Sequence, residues 1–115
     1  MRKPATLHLD ALDTYPPEMA LWLEHFAAGR YRTSLDYIEA IWFPDRTDFY
    51  KGLIQLTVAM HQLATTNLIT GPRYLFISCR KLLKAYEPSY AHVDVEAARR
   101  LAAAGLRQLR RRPTV

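Results

Sequence analysis

Apolar residues recur at steps of four, three, four and three along one segment near the middle of the chain. They are Phe49, Leu53, Leu56, Met60 and Leu63. This spacing places all five on one side of a helix for four turns, so it predicts an amphipathic α-helix over about residues 47–65. No other pattern in the chain constrains the fold as strongly.

A second stripe of this helix combines two small residues with two amides, at Gly52, Gln55, Ala59 and Gln62. Small side chains let a neighbouring helix approach closely, and such an approach would remove Gln55 from solvent. We therefore expect a tight helix contact beside the apolar stripe.

Two helices are predicted before this one, over about 17–28 and 31–43, joined by a turn at Gly29 that suits the left-handed conformation. With so short a link they should form an antiparallel hairpin. Their expected buried residues follow helical spacing: Met19, Leu23 and Phe26, then Tyr31, Leu35, Ile38 and Trp42. The run from Pro44 to Thr47 is the predicted break before the third helix, with Asp45 or Thr47 as its N-cap.

Two more helices are predicted after it, the fourth from near Pro72 to about Tyr86 and the fifth after the N-cap Asp94. The fourth would bury Leu75, Cys79, Leu82 and Tyr86, and the fifth an alanine-rich face of Ala97, Ala98, Leu101 and Ala104. No segment has the alternation of a strand. The predicted fold class is all-α, a compact bundle of about five helices built from antiparallel hairpins.

A chain of 115 residues with half of them apolar fits one domain with its own core. We predict an N-terminal arm over residues 1–16, one helical domain over 17–112 and a tail over 113–115. The single cysteine excludes an intramolecular disulfide, and the N-terminal segment lacks the apolar run of a signal peptide. We expect a cytoplasmic protein that does not enter a membrane, because charges interrupt every apolar stretch.

The net charge of +5 raises the question of nucleic-acid binding. Residues 94–115 contain six arginines and two acidic residues, so the basicity falls in the last helix and tail while the remaining chain is near neutral. Arg107, Arg110 and Arg111 project on one side of that helix and are candidates for weak, sequence-independent phosphate binding. The alternative is that these arginines complement the helix dipole and increase solubility.

The residues resemble a known family, number 309 of the domains of unknown function. The matching positions are Phe26, Gly29, Tyr31, Glu39, Trp42, Gly52, Ile54, Gln55, Asn67 and Asp94, spread over about residues 20–98. The resemblance implies a compact helical bundle of antiparallel hairpins and does not imply an established activity.

This chain departs from the family pattern where that pattern has polar residues. It has Ala27 in place of an asparagine, Leu35 and Gln62 in place of histidines, and Asp36 in place of a glutamate. Since the imidazoles are absent, we predict no metal site and no cofactor.

Two carboxylates three residues apart, Asp36 and Glu39, are the only catalytic candidates, and such pairs on an amphipathic helix are usually a solvated flank. Glu39 lies nearer the apolar stripe and is the better candidate for a hydrogen bond with Gln55 or an aromatic donor. The predicted function is a binding or interaction module with a polar and aromatic cluster between helices two and three. Its residues are Tyr31, Glu39, Trp42, Gln55 and Asn67.

Two other functions remain open: a hydrolase-like enzyme with Glu39 as acid or base, and nucleic-acid binding through the C-terminal arginines. A homodimer or another protein partner is also left open. Cys79, on an apolar stripe with no neighbouring histidine, is predicted to be an inert core thiol.

Overall fold

The computed structural model describes residues 16–91 and 93–113. Its elements are α1 (Pro17–Ala27), α2 (Tyr31–Asp45), α3 (Asp48–Thr65), α4 (Thr70–Lys84), β1 (Ser89–Tyr90), β2 (Val93–Asp94) and α5 (Val95–Arg110). Each helix packs on the next in chain order, and α5 also contacts α3. The all-α bundle is confirmed. The predicted arm and tail lie outside the described residues, apart from Pro16 and Pro113.

The apolar stripe of α3 lies in the core, as its spacing predicts. Phe49, Leu53 and Leu56 are fully buried, whereas Met60 and Leu63 near the end of the helix are half-buried. The expected close helix contact is also present. A Cβ atom added to Gly52 would lie 2.8 Å from Cδ2 of Leu83, so only glycine lets α4 approach α3 this closely.

One buried hydrogen bond ties α1 to α3. Nε1 of Trp22 donates to Oγ1 of Thr57 at 3.0 Å, and the Thr57 hydroxyl donates to the Leu53 carbonyl at 2.7 Å. Both side chains are fully buried. The indole N–H thus has the partner that a buried tryptophan requires, and α1 is fixed in register on the bundle.

The predicted buried faces of the other four helices are confirmed in part, at Met19, Phe26, Ile38, Cys79, Ala97 and Ala98, and differ at other positions. Trp22 replaces Leu23 on α1, and Phe76 and Leu83 replace Leu75, Leu82 and Tyr86 on α4. On α2 the buried residues are Ser34, Ile38 and Ile41, and on α5 they include Ala102 and Gly105 in place of Leu101 and Ala104. On each of these helices the buried residues adjoin the predicted stripe, and spacing alone does not tell which of two adjacent stripes faces the core.

The predicted break over residues 44–47 is confirmed at its end, where Thr47 occupies the N-cap position of α3, but α2 continues to Asp45 with Pro44 inside its last turn. The helix ends one residue later, where Arg46 takes a left-handed conformation with φ of 53° and its amide donates to the Trp42 carbonyl. A proline this near the C-terminus removes only one helical hydrogen bond, so α2 does not have to end before it.

The expectation of no strand is also wrong, although the sheet is minimal. β1 and β2 pair antiparallel, Ser89 with Asp94 and Tyr90 with Val93. Two residues are too few to produce a detectable alternation. The predicted N-cap is confirmed, because Oδ1 of Asp94 accepts from the Ala97 amide at 2.9 Å. Among the described residues, no helix has the length and apolar character needed to cross a membrane.

Candidate functional site

The charge of the chain is divided between its two halves. Residues 16–68, which form α1 to α3, contain four basic and six acidic side chains, a net charge of −2. Residues 69–113 contain ten basic and three acidic side chains, a net charge of +7. The basicity is therefore a property of the α4–α5 pair and not of a C-terminal tail, because α4 contributes four of the ten.

Three clefts open between α4 and α5 and share lining residues. The first, which we call the apolar cleft, has a volume of about 320 Å³ and is lined by Ile69, Arg73, Ile77, Leu106, Leu109 and Arg110. The second, of about 270 Å³, is lined by Ile77, Arg80, Lys81, Lys84 and Arg99. The third, of about 230 Å³, is lined by Arg80, Glu87, Glu96, Arg99, Arg100 and Ala103.

Shared residues join these clefts into one surface, which we call the basic groove. Ile77 lines both the first and the second cleft, and Arg80 and Arg99 line both the second and the third. Seven basic side chains line the groove in all. Such a concentration of one sign of charge beside a low-dielectric wall focuses the field on the groove.

A close helix contact holds the two walls of the groove together. A Cβ atom added to Gly105 of α5 would lie 2.4 Å from Cζ of Phe76, which is fully buried on α4. The ring therefore packs directly on the backbone of α5. The side chains that flank this contact on the solvent side, such as Ile77 and Leu106, become the lining of the groove.

Two of the groove arginines are held by ion pairs. Nη1 of Arg99 lies 2.6 Å from Oε2 of Glu87, and its Nε donates to the Arg80 carbonyl at 3.1 Å. Arg100 lies 3.8 Å from Glu96 one turn before it. Because the Arg99 side chain is largely buried, its two hydrogen bonds fix the guanidinium in position, and it joins the turn after α4 to α5.

The remaining basic side chains of the groove make no ion pair within the described residues. They are Arg73, Arg80, Lys81, Lys84 and Arg110. Nε of Arg80 is buried and has no hydrogen-bond partner in this part of the chain. A polyanion that extends along the groove would therefore meet several cations that have no competing carboxylate among the described residues.

The three arginines predicted as phosphate-binding residues differ in whether they line a cleft. Arg110 lines the apolar cleft, whereas Arg107 and Arg111 are exposed outside the clefts described above. The neighbouring Arg112 has a structural role, because its two Nη atoms donate to the carbonyls of Leu68 and Leu63 at 2.5 and 2.6 Å. It thereby satisfies groups near the end of α3.

The five residues of the predicted α2–α3 cluster lie in different settings. Tyr31 is half-buried with its ring 5.2 Å from that of Phe26, and burial raises the pKa of its hydroxyl. Trp42 is half-buried beneath the Arg46 guanidinium, 4.6 Å from its ring centre. Asn67 is exposed after α3.

Two polar atoms of this cluster are buried without a hydrogen-bond partner among residues 16–91 and 93–113. They are Nε1 of Trp42 and Oε1 of Gln55. The indole N–H of Trp42 therefore does not donate to Glu39. The sequence predicted Gln55 or an aromatic donor as the partner of this carboxylate.

The two candidate catalytic carboxylates do not converge on a cleft of the basic groove. Asp36 is exposed and pairs with Arg32 at 2.9 Å, one turn away. Glu39 is half-buried on α2. The ion pair agrees with the solvated flank that is usual for paired carboxylates on a helix.

Cys79 is fully buried on α4, and its Sγ donates to the Phe76 carbonyl at 3.3 Å. Burial raises the pKa of its thiol to about 12, although Arg80 and Arg99 act in the opposite direction. A thiol with this pKa is almost fully protonated at neutral pH and is a poor nucleophile. In the part of the chain that the structure describes, no group of three or more histidine, cysteine, aspartate or glutamate side chains is placed to hold a metal ion.

Comparison with known proteins locates the resemblance on the first three helices. Residues 20–71 match DUF309, a domain of unknown function. The predicted resemblance to this family is therefore confirmed over most of α1, all of α2 and α3, and the first two residues of α4, a shorter segment than the predicted residues 20–98. No curated protein and no solved structure matches the chain significantly.

The DUF309 match and the basic groove lie in different parts of the chain. Every residue that lines the groove, apart from Ile69, follows residue 71. When the charge is divided at residue 94, the four basic residues of α4 fall in the near-neutral part of the chain and the groove cannot be predicted. A division at the start of α4 instead gives a net charge of +7 for residues 69–113 and −2 for residues 16–68. The four basic residues of α4 have no acidic neighbour on that helix.

Proposed function

We propose that this protein is a nucleic-acid-binding module that holds a phosphate backbone along the basic groove between α4 and α5. One observation carries the proposal: two helices direct seven basic side chains into three joined clefts, and five of these make no ion pair within the described residues. Phosphate contacts supply most of the affinity of sequence-independent nucleic-acid binding.

The arrangement favours phosphate binding over two structural explanations for basic helices, which are complementation of the helix dipole and solubility. Lys81 and Lys84 in the last turn of α4 do complement the helix dipole. However, that effect falls off within one turn, and it does not account for Arg73 in the first turn of α4. A charge that served solubility alone would be spread over the surface, whereas here it is confined to one helix pair.

The groove itself supplies binding and orientation without an evident catalytic group. Its two carboxylates, Glu87 and Glu96, lie beside Arg99 and Arg100, so neither is placed as an isolated acid or base. The function we propose is therefore retention of a phosphate backbone and not its cleavage.

The salt dependence of binding tests this proposal. We expect a fluorescein-labelled 20-mer to bind with an affinity that falls steeply with salt, since each neutralised phosphate contributes a slope of about −0.7 to −0.9 in log K against log[salt]. The double variant Lys81→Gln/Lys84→Gln should bind more weakly and lose roughly 1.4 to 1.8 of that slope.

A matched control distinguishes the loss of a binding site from the loss of net positive charge. Arg30→Gln/Lys51→Gln removes the same two charges from exposed positions on the other half of the molecule. This control should bind nearly as the parent does. Equal weakening in both double variants would refute a defined site, and no binding by the parent at low salt would refute the function.

The α2–α3 cluster is a second candidate site, carried by the unpartnered Nε1 of Trp42 and Oε1 of Gln55. A ligand or protein partner, including a second copy of the chain, would have to supply an acceptor to the first and a donor to the second. The indole N–H signal of Trp42 in a ¹H–¹⁵N spectrum tests this directly, because such a partner would shift it and leave the α4–α5 amides unchanged.

A further inference from the structure

We infer that the basic groove takes single-stranded nucleic acid and that its apolar cleft receives one unstacked base. This inference rests on the proposed function and names the form of nucleic acid that the same site prefers. Phosphate binding does not explain the apolar cleft, since phosphates need cations and hydrogen-bond donors but not an apolar cavity.

The apolar cleft has the composition of a site for a flat, partly apolar group. Four of its six lining residues are aliphatic, and the other two are Arg73 and Arg110. Its volume of about 320 Å³ is at the lower end of the 300–1,000 Å³ that is typical of small-molecule sites. A guanidinium is planar and can both stack on a base and bind a phosphate, so these two arginines suit a nucleotide better than lysines would.

A further stacking surface lies on the same helix. Tyr74 is 68% exposed and lies three residues before Ile77, so the two residues are neighbours on the surface of α4. An exposed aromatic ring beside a basic groove is the usual platform on which successive bases of a single strand stack.

A duplex would gain nothing from the apolar cleft. Its bases are stacked in the helix interior, and only its phosphates and groove edges reach a protein surface, so the cleft would remain wet. A single strand has unstacked bases that enter such a cleft while its phosphates remain near the basic side chains of the adjoining cleft. Because Ile77 joins the two clefts, a base and the neighbouring phosphates of one strand have adjacent sites.

An anionic membrane is the competing partner, and the shape of the site disfavours it. A bilayer surface is broad and does not enter a groove between two helices, where Arg80 and Arg99 line the clefts. A narrow, flexible strand does enter such a groove. The experiment therefore includes vesicles as an arm that would overturn the inference.

The test compares a labelled 12-nucleotide single strand with its duplex at one salt concentration, using parent protein and Ile77→Ser. Base stacking contributes about 1–3 kcal/mol per base, so the single strand should bind the parent roughly 5-fold more tightly or better. Ile77→Ser should remove most of this preference by weakening single-strand binding more than duplex binding, and the salt slope should persist because the substitution changes no charge.

Leu21→Ser is the matched control, since Leu21 is 37% exposed on α1 and Ile77 is 38% exposed on α4. It should bind as the parent does. A single strand that carries one 2-aminopurine gives a second readout, because the fluorescence of this base changes when it leaves the stack. We expect that change with the parent and with Leu21→Ser, and a much smaller one with Ile77→Ser.

The outcomes separate this inference from the proposed function. If the parent binds strand and duplex equally and Ile77→Ser has no effect, the base-binding inference is wrong and the phosphate-binding function stands. If the parent binds neither, both are wrong. Binding to phosphatidylserine vesicles that depends on Ile77, with no binding to the oligonucleotide, would overturn the inference in favour of a membrane surface.

Discussion

At the scale of single residues, Trp22 both packs in the core and makes a buried hydrogen bond. The ring is fully buried, and its N–H donates to Thr57 across 35 residues of sequence. The other tryptophan, Trp42, is only half-buried, and its indole nitrogen lacks a partner among the described residues. The two tryptophans should therefore contribute very differently to stability.

We expect Trp22→Ala to lower the free energy of unfolding by about 3–5 kcal/mol, as removal of a fully buried aromatic side chain does. Trp42→Ala should cost clearly less, because its ring is only half-buried and contacts two exposed residues, Arg46 and Phe43. Urea unfolding monitored by circular dichroism measures both. Equal costs would show that the burial of α1 and α2 is misassigned.

A second prediction at this scale concerns Cys79 and pH. Its pKa rises from a usual 9.0 to about 12 on burial, so between these values the folded protein keeps a proton that the unfolded chain has lost. Because the native state then binds more protons, the free energy of unfolding should fall as pH rises from about 9, by about 1.4 kcal/mol per unit. Below pH 9 this thiol adds no pH dependence.

The variant Cys79→Ala isolates this effect, since every tyrosine and lysine titrates equally in both proteins. Free energies of unfolding in urea at pH 8, 9.5 and 10.5 should converge for parent and variant as pH rises. Parallel curves would mean that the thiol titrates normally and is not sealed in the core.

At the scale of elements, the walls of the basic groove depend on the contact between Gly105 and Phe76. Gly105→Ala would place its Cβ 2.4 Å from the ring, so α4 and α5 would have to separate. We expect a loss of about 1–3 kcal/mol in the free energy of unfolding, as overpacking usually costs. This loss should appear although alanine favours a helix more than glycine does.

The control for this prediction is Gly71→Ala, in the first turn of α4. Its nearest contact would be Oε1 of Gln62 at 3.3 Å, the end of a flexible side chain. This variant should cost clearly less than Gly105→Ala, since Pro72 disfavours a helical residue with a Cβ before it but helix propensity offsets part of that cost. Thermal unfolding of both variants is the measurement, and a stabilised Gly105→Ala would contradict the close approach of the two helices.

The helices were largely predictable from sequence, but which face of each helix is buried was predictable only in part. The spacing of Phe49, Leu53 and Leu56 identifies α3 and its buried face, and Asp94 identifies the start of α5. By contrast, α2 and α4 bury stripes that adjoin the predicted ones. Spacing alone cannot tell which of two adjacent stripes is more deeply buried, since that choice depends on the partner helices.

The candidate site was less predictable for a related reason. The sequence shows the arginines near the C-terminus, but it does not show that Arg73 and Arg110 line one cleft although they are 37 positions apart. Only the packing of α4 on α5 brings the basic residues of both helices together. The predicted α2–α3 cluster, with Glu39 and Gln55, stays a prediction.

At the scale of the whole molecule, the chain has two unlike halves. Helices α1 to α3 contain the DUF309 match and a net charge of −2, and α4 with α5 forms the basic groove within a segment of net charge +7. The two halves share a core through the contact of Gly52 with Leu83. A bound polyanion would therefore be directed to one half by attraction and away from the other by repulsion.

The most direct test of the account is a ¹H–¹⁵N titration of the full chain with a single-stranded oligonucleotide. The account predicts that shifted amides cluster on α4 and α5 around Arg73, Ile77, Arg80 and Arg110, while the amides of α1 and the Trp42 indole signal stay unchanged. Shifts that cluster on α2 and α3, or a spectrum unaffected by saturating oligonucleotide at low salt, would contradict it.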